Sequence, residues 1–485
     1  MGKSILIENP LLCCRMNSEV SGGKILAPFS GGHIYIEGDK IISAGPEKCY
    51  QSADYHIEAS RMLVIPGLIN THHHFFQNLT RNIYSTQKAE LFDWLTTHYN
   101  IWREIDEEAI YISTKVAIAE LVKSGCTTTS DHLYLFPRKS ALTLLDSEIQ
   151  AAKEMGIRFQ PTRGSMSMGK SKGGLPPDDV VQSDAAIIED TIRLIKKYHD
   201  DSFGSMTRIS LAPCSPFSIT PELMKKTARL AREYNLMMHT HLAETQDEVD
   251  FCEEKFGMRP FELMQSLNWI SPNAWFAHSI CLNDQEIREA GKAQVGVSHC
   301  PTSNMRLSSG IARIKELIEA GGKVSLGVDG SASNDSSNML MEMRNALLLS
   351  RLRESPYRLS ADEVLWMATA GGAKALGRND IGEIKPGKCA DITMISMDRL
   401  EYSGAQHDPV SAIIFCVSMN PVDWVIVNGE IIVEKGKIRE ANARNYLNEQ
   451  ALVKRHQEIS DKLIRSAESK SGLSLTRKIE NDAKS

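Results

Sequence analysis

No apolar run in the 485-residue sequence approaches the about 18 residues that cross a bilayer. The opening segment Met1–Leu6 is interrupted by Glu8, Asn9 and Pro10 before an export signal could form, and Leu6 stands where a myristoylation signal needs Ser or Thr. A cytoplasmic protein is expected. Ten cysteines are scattered without framework spacing, apart from the adjacent Cys13 and Cys14, so reduced thiols are expected rather than a disulfide scaffold. Basic stripes are missing too. With 55 Lys and Arg against 61 Asp and Glu, the net charge is −6, which offers nucleic acid no electrostatic footprint. No short-period repeat is visible, which excludes a solenoid. A small molecule and water are left as partners, with neither membrane nor nucleic acid, and a homo-oligomer is expected.

What is present is an ordinary globular composition, 42% hydrophobic and 24% charged, in a chain long enough for a large domain plus an accessory one. The first 65 residues read as strands and turns: Ser4–Ile7, His33–Glu37 and Lys40–Ala44, with Gly38-Asp39 as a hairpin turn. The texture returns at Ala390–Ile395, Trp424–Val427 and Glu430–Glu434, where Asn428-Gly429 marks another hairpin. The two ends are therefore expected to pair into one small β-sandwich (1–65 and 386–445), with seams at Pro66-Gly67 and Pro386-Gly387. Between them, residues 66–385 alternate short β-branched runs with amphipathic stretches. Arg208–Ala212, Met237–Leu242, Ala274–Ala277, Val295–Ser298 and Val324–Val328 are the strand candidates. Repeated βα units call for a parallel barrel or a doubly wound sheet. Leu447–Ala467 reads as an amphipathic helix in a helical tail (446–485), packed on the body or a neighbour, and Arg477–Ser485 as disordered.

Four strand ends carry polar clusters. His72-His73-His74 closes the run Leu63–Ile69; alternation along a strand puts His72 and His74 on one face and His73 on the other. His239-Thr240-His241 follows a second run, with Glu244 three residues on; His239 shares the His241 face but lies deeper, as a structural residue. His278 ends a third run and Asp329 a fourth. Each cluster alone also fits packed histidines or a turn-forming aspartate. Together, in sequence order at strand ends, they match the place where (β/α)8 barrels keep their chemistry.

These residues, from Pro66 through His74, with His239–Glu244, His278 and Asp329, resemble the signature of the amidohydrolase superfamily. They are most similar to its cytosine, guanine and S-adenosylhomocysteine deaminase branch. The resemblance covers nearly the whole chain and implies a (β/α)8 TIM-type barrel flanked by a β-sandwich from both chain ends. Cys126–Pro137, Thr162–Pro177, Leu211–Ile219, His299–Leu307 and Gly327–Asn338 resemble bacterial 8-oxoguanine deaminases. Isoxanthopterin deaminases and hydroxyatrazine ethylaminohydrolases are similar over several of the same stretches, and guanine deaminase also stays open.

The resemblance implies a hydrolase acting on a cyclic amidine, releasing ammonia from an oxidised purine, with 8-oxoguanine to urate as the first choice. His72, His74, His241 and Asp329 are the expected ligands of one divalent metal per chain, Zn2+ foremost, with Fe2+ fitting the same set. Two-metal relatives carry a lysine where this chain has Leu211–Cys214. Glu244 is the expected general acid, Asp329 the base that passes the water proton to the leaving amine, and His278 a partner holding the attacking water. Gln77, three residues after His74, matches a glutamine that pairs with the lactam edge in guanine deaminases. Arg163, Cys214 and Ser215 are further candidates for substrate contact, although Cys214 equally fits a buried small residue. The other zinc deaminase fold needs Pro-Cys-x-x-Cys, whereas Pro213-Cys214 is followed by Ser-Pro-Phe. A triazine dechlorinase on this scaffold would release chloride instead of ammonia. A catalytically dead barrel that only binds would have lost ligands that this chain keeps.

Overall fold

The computed structural model describes residues 3–17, 26–49, 51–138, 143–353, 355–440 and 445–477. Eight parallel strands follow one another in chain order around the centre: β1 Leu68–Asn70, β2 Cys126–Leu133, β3 Arg158–Ser165, β4 Ser210–Pro213, β5 Met238–Leu242, β6 Ala274–His278, β7 Gly296–His299 and β8 Lys323–Leu326. The ring closes where Thr71 N–H donates to the Leu326 carbonyl and Asp329 N–H to the His72 carbonyl, both at 3.0 Å. The architecture is the expected (β/α)8 barrel. Its interior is not wholly apolar. Thr71 Oγ1 meets the Ser298 and Ser325 hydroxyls at 2.7 and 2.8 Å, so these buried groups satisfy one another.

Parallel strands require crossovers, and amphipathic helices supply them. Those used below are α1 Leu91–Trp102, α2 Glu107–Lys123, α3 Leu144–Met155 and α4 Asp184–Tyr198. The Asp106 carboxylate caps α2 by accepting from Ala109 N–H at 2.9 Å.

Two sheets flank the barrel. One has four strands, all from the N-terminal segment, in the order Lys40–Gly45, His33–Glu37, Ser4–Glu8, Tyr55–Glu58. The other has seven and mixes the ends of the chain: Ile392–Ser396 pairs antiparallel with Met62–Pro66, bringing Trp424–Val427 and Glu430–Glu434 with it. Ile5, Ile34 and Ile36 of the first sheet share a core with Val64, Ile392 and Ile426 of the second. One residue separates this sheet from the barrel. Gly67 N–H donates to the Asp391 carbonyl at 2.9 Å, and a Cβ there would stand 2.1 Å from Thr127 Oγ1. Only glycine lets the chain pass so close.

Several limits differ from the sequence reading. The fourth strand begins at Ser210, because the Arg208 guanidinium donates to Ser205 Oγ and to the Asp201 and Ser202 carbonyls in the preceding loop. The last strand stops at Leu326, and Gly327 N–H gives the final rung to the His299 carbonyl at 3.0 Å. The tail helix, α5, runs Glu449–Ser471 between an Asn448 cap and Gly472 at φ 70°. It packs on α1 and α2, and Ser460 Oγ donates to the Leu79 carbonyl at 2.6 Å. Residues 478–485 of the expected disordered end, like Met1 and Gly2, lie outside the described residues. No described helix is long and apolar enough to cross a membrane.

Candidate active site

At the C-terminal end of the barrel strands, His72, His74, His241, His278 and Asp329 come together, all buried. The hydrogen-bond pattern fixes what each imidazole offers. His74 Nδ1–H donates to the His132 carbonyl at 2.8 Å, and His241 Nδ1–H to the Cys214 carbonyl at 2.7 Å. His239 Nδ1–H donates to the Trp275 carbonyl at 2.8 Å, which makes His239 Nε2 an acceptor, and His72 Nδ1–H donates to it at 2.8 Å. All three Nε2 atoms of His72, His74 and His241 therefore carry lone pairs. They point at one another and at a carboxylate: His74 and His241 Nε2 are 3.1 Å apart, and Asp329 Oδ1 is 3.3 Å from His72 Nε2 and 3.4 Å from His74 Nε2. Acceptors that converge without a proton between them repel unless a cation sits among them. The donor set, three neutral imidazoles and one carboxylate, fits a divalent metal.

The electrostatics agree. Burial holds all three imidazoles below their usual range, His241 down to about 3, so they stay neutral. Glu244 goes the other way: burial, reinforced by Asp329 and Glu248 and opposed by His278, lifts it to about 7. Its Oε2 lies 3.5 Å from His278 Nε2, which stands 3.8 Å from Asp329 Oδ2. His278 Nδ1–H donates to Asn304 Oδ1 at 2.9 Å, turning Nε2 toward the two carboxyls.

The backbone is strained at the same place. Ala243, His278, Ser279 and Asp329 have φ of 51°, 68°, 52° and 63°. Non-glycine residues adopt this region at a cost, and such outliers gather at functional sites. Glu248 pays part of it, accepting from the Ala243 and Glu244 N–H groups at 2.8 and 3.0 Å.

A small cavity opens on this cluster. Gln77, Tyr134, Cys214, Phe217, Leu307 and Ser333 line it beside His74, His241, Glu244, His278 and Asp329, and Leu91, Trp94 and Leu95 of α1 roof it. Of the substrate contacts expected from sequence, Gln77 and Cys214 reach this space; burial pushes the Cys214 thiol up to about 12, so it stays neutral. Arg163 and Ser215 are not brought to it. The Arg163 side chain leaves the barrel for α4, donating to Asp190 Oδ2 at 2.7 Å and Gln182 Oε1 at 2.8 Å over the Phe136 ring. Ser215 Oγ pairs with Ser218 Oγ at 2.8 Å. Sequence reasoning missed the α1 roof, Tyr134, Phe217, Ser333 and the orienting Asn304. None carries a metal-ligand pattern, although Tyr134 follows a strand end as His74 does.

Comparison with known proteins places these features in company. The model of the amidohydrolase family matches residues 63–432. An 8-oxoguanine deaminase of Pseudomonas aeruginosa is 44% identical over 94% of this chain and 98% of its own. A hydroxydechloroatrazine ethylaminohydrolase of a Pseudomonas species is 34% identical over 86% of this chain and 89% of its own. Among solved structures, an atrazine chlorohydrolase of Arthrobacter aurescens TC1 complexed with zinc superimposes with a TM-score of 0.87 at 30% identity, over 94% of this chain and 100% of that one.

Proposed function

The chain belongs to the amidohydrolase family, and on that premise we propose that it is a metal-dependent hydrolytic deaminase converting 8-oxoguanine and water to urate and ammonia. The observation that carries the metal-dependent part is the convergence of three unprotonated Nε2 atoms on the Asp329 carboxylate. Similarity over nearly full length to an 8-oxoguanine deaminase supports the substrate. We assign His72, His74, His241 and Asp329 as holding one divalent ion per chain; the zinc in the atrazine chlorohydrolase favours Zn2+. When bound, such an ion supplies Lewis acidity and makes water a nucleophile near neutral pH.

The residues do the rest. Asp329 accepts the proton of the attacking water and later delivers it to the departing amino group. His278, turned by Asn304, holds the water against the Asp329 carboxylate. Glu244, lifted to about 7, is about half protonated at neutral pH; in its acid form it gives its proton to the ring nitrogen beside the attacked carbon, and it recovers one as the new C–OH becomes the carbonyl. Without that transfer, charge would build on the ring; proton donation of this kind contributes roughly 10²–10⁴ in rate. Leu91, Trp94 and Leu95 of α1 put an apolar wall beside the reaction.

The test is ammonia release by metal-loaded protein from 8-oxoguanine, guanine, isoxanthopterin and cytosine, with hydroxyatrazine followed by product mass because it loses an alkylamine. 8-Oxoguanine is expected to give the highest kcat/KM, above guanine by up to about 10⁴, since a site built for the 8-oxo edge leaves buried groups mispaired on guanine. Guanine equal to 8-oxoguanine would remove the substrate assignment and leave the deaminase; release from none would remove both.

A further inference from the structure

Glu248 is buried, as the third residue of the helix Gln246–Phe256 that follows β5. A glutamate at that position commonly reaches back to the N–H of the residue capping the helix. Glu248 reaches past it. Its Oε1 accepts from Ala243 N–H at 2.8 Å and its Oε2 from Glu244 N–H at 3.0 Å, while Thr245, at the cap, gives the helix no side-chain bond. The carboxylate therefore serves the turn before the helix. That turn is strained, with Ala243 at φ 51°. Ala243 is gripped from the other side too, where its carbonyl accepts from Ile280 and Cys281 N–H at 2.9 and 2.8 Å. The Glu244 carboxyl that the turn carries stands in the cavity wall, with His278 Nε2 3.5 Å from its Oε2. Two N–H donors need two acceptor oxygens, which a carboxylate has and a carboxamide lacks. Burying a carboxylate next to a second acid is unfavourable, and the two charge-assisted bonds offset that cost.

We infer that Glu248 is a positioning residue for the proton donor: its carboxylate clamps the Ala243–Glu244 turn and so aims the Glu244 carboxyl at the ring nitrogen that receives the proton. Its part in the reaction rests on the deaminase reading; the clamp itself does not. Misplacing a reacting group by about 1 Å costs about 10²-fold in rate. Loosening this turn therefore acts on kcat, while the rest of the cavity still binds the substrate.

The test is a double-mutant cycle on metal-loaded protein with 8-oxoguanine. Glu248→Gln keeps the shape and leaves one of the two N–H groups without an acceptor. It is expected to lose about 10- to 100-fold in kcat, with KM within about threefold and bound metal unchanged. In a Glu244→Gln background, which has no acid to aim, the same change should cost less than about threefold more. A general loosening of the barrel would subtract from both backgrounds alike. Equal losses in the two therefore overturn the inference, as do an unchanged kcat or a loss of metal in Glu248→Gln. If Glu248→Gln does not fold, Glu248→Asp, which keeps the charge and shortens the reach, goes through the same cycle with the same expectations. Amide hydrogen exchange needs no turnover. The peptide holding Ala243 and Glu244 should exchange about tenfold faster in Glu248→Gln. If wild type releases ammonia from no purine, the deaminase reading falls and exchange decides the clamp: the faster rate supports it, and an unchanged rate overturns it.

Discussion

His239 stands behind His72 and decides which nitrogen His72 offers to the candidate cation site. Its Nε2 accepts the His72 Nδ1 proton and its own Nδ1–H is tied to the Trp275 carbonyl. Partners of this kind commonly tune affinity by about 10–100-fold, so His239→Ala should weaken metal binding by about that factor, read by competition with a chelator. Two further substitutions separate holding the ion from moving a proton. Glu244→Gln should keep about one metal per chain and lose about 10²-fold or more of kcat, because an amide has the shape of the carboxyl without its proton. His241→Ala should lose metal and activity together. Metal analysis beside kcat checks both, and metal loss in Glu244→Gln would refute the assigned role. His72, His74, His241, His278, Glu244 and Asp329 were legible as candidates because imidazoles and carboxylates at strand ends are a rare pattern. Arg163 misled for the opposite reason. It too stands at a strand end, but its neighbour in space is Asp190 on α4, a helix still to come in the sequence.

At the scale of elements, α3 and α4 are joined through one carboxylate. Asp146 on α3 accepts from Arg193 Nη2, Lys197 Nζ and Tyr198 Oη on α4, each at 2.7 Å. Burial works against its charge, but these three donors prevail and hold the carboxyl down to about 2. A carboxyl whose pKa is lower folded than unfolded contributes stability that is complete above its unfolded value, 3.8, and lost as pH falls through about 2. Asp146→Asn should therefore lower Tm at pH 7, with the gap to wild type narrowing toward pH 2; a constant gap would mean that packing, not charge, is at work. The tail helix is a second case. Its periodicity announced an amphipathic helix, but not that His456 and Ser460 would reach Asn78 and the Leu79 carbonyl, the two residues after Gln77. Ending the chain before Asn448 should lower kcat/KM by about 10-fold or more, since each lost hydrogen bond is worth about 1 kcal/mol, and kinetics on the truncated protein would show it.

Across the whole molecule, one buried ion pair ties barrel to sandwich. Arg158 on β3 donates to both oxygens of Asp391, at 2.9 and 3.1 Å, to Asn428 Oδ1 at 2.9 Å and to the Gly204 and Ser205 carbonyls at 2.7 and 2.9 Å. Removing one partner leaves a buried charge alone, which typically costs about 3–5 kcal/mol. Arg158→Ala should lose that much in denaturant unfolding, and Arg158→Met less when paired with Asp391→Leu. An unchanged midpoint in Arg158→Ala would show that the two parts hold together without the pair.

Period and punctuation determined much of this protein. Short β-branched runs separated by amphipathic stretches predicted a parallel barrel or a doubly wound sheet, the His and Asp clusters at four strand ends and the family resemblance pointed to the barrel, and Pro66-Gly67 marked the chain's entry into it. Those signals are local, written within a few residues of the feature they announce. The tertiary structure alone decided which groups meet across the barrel: that His239 fixes the tautomer of His72, that Asn304 turns His278, and that Gln77 lies on Gly330 beside Tyr134. Each of these pairs joins residues tens to hundreds of positions apart. Closing the ring of strands creates their contact, and no period along the chain encodes it.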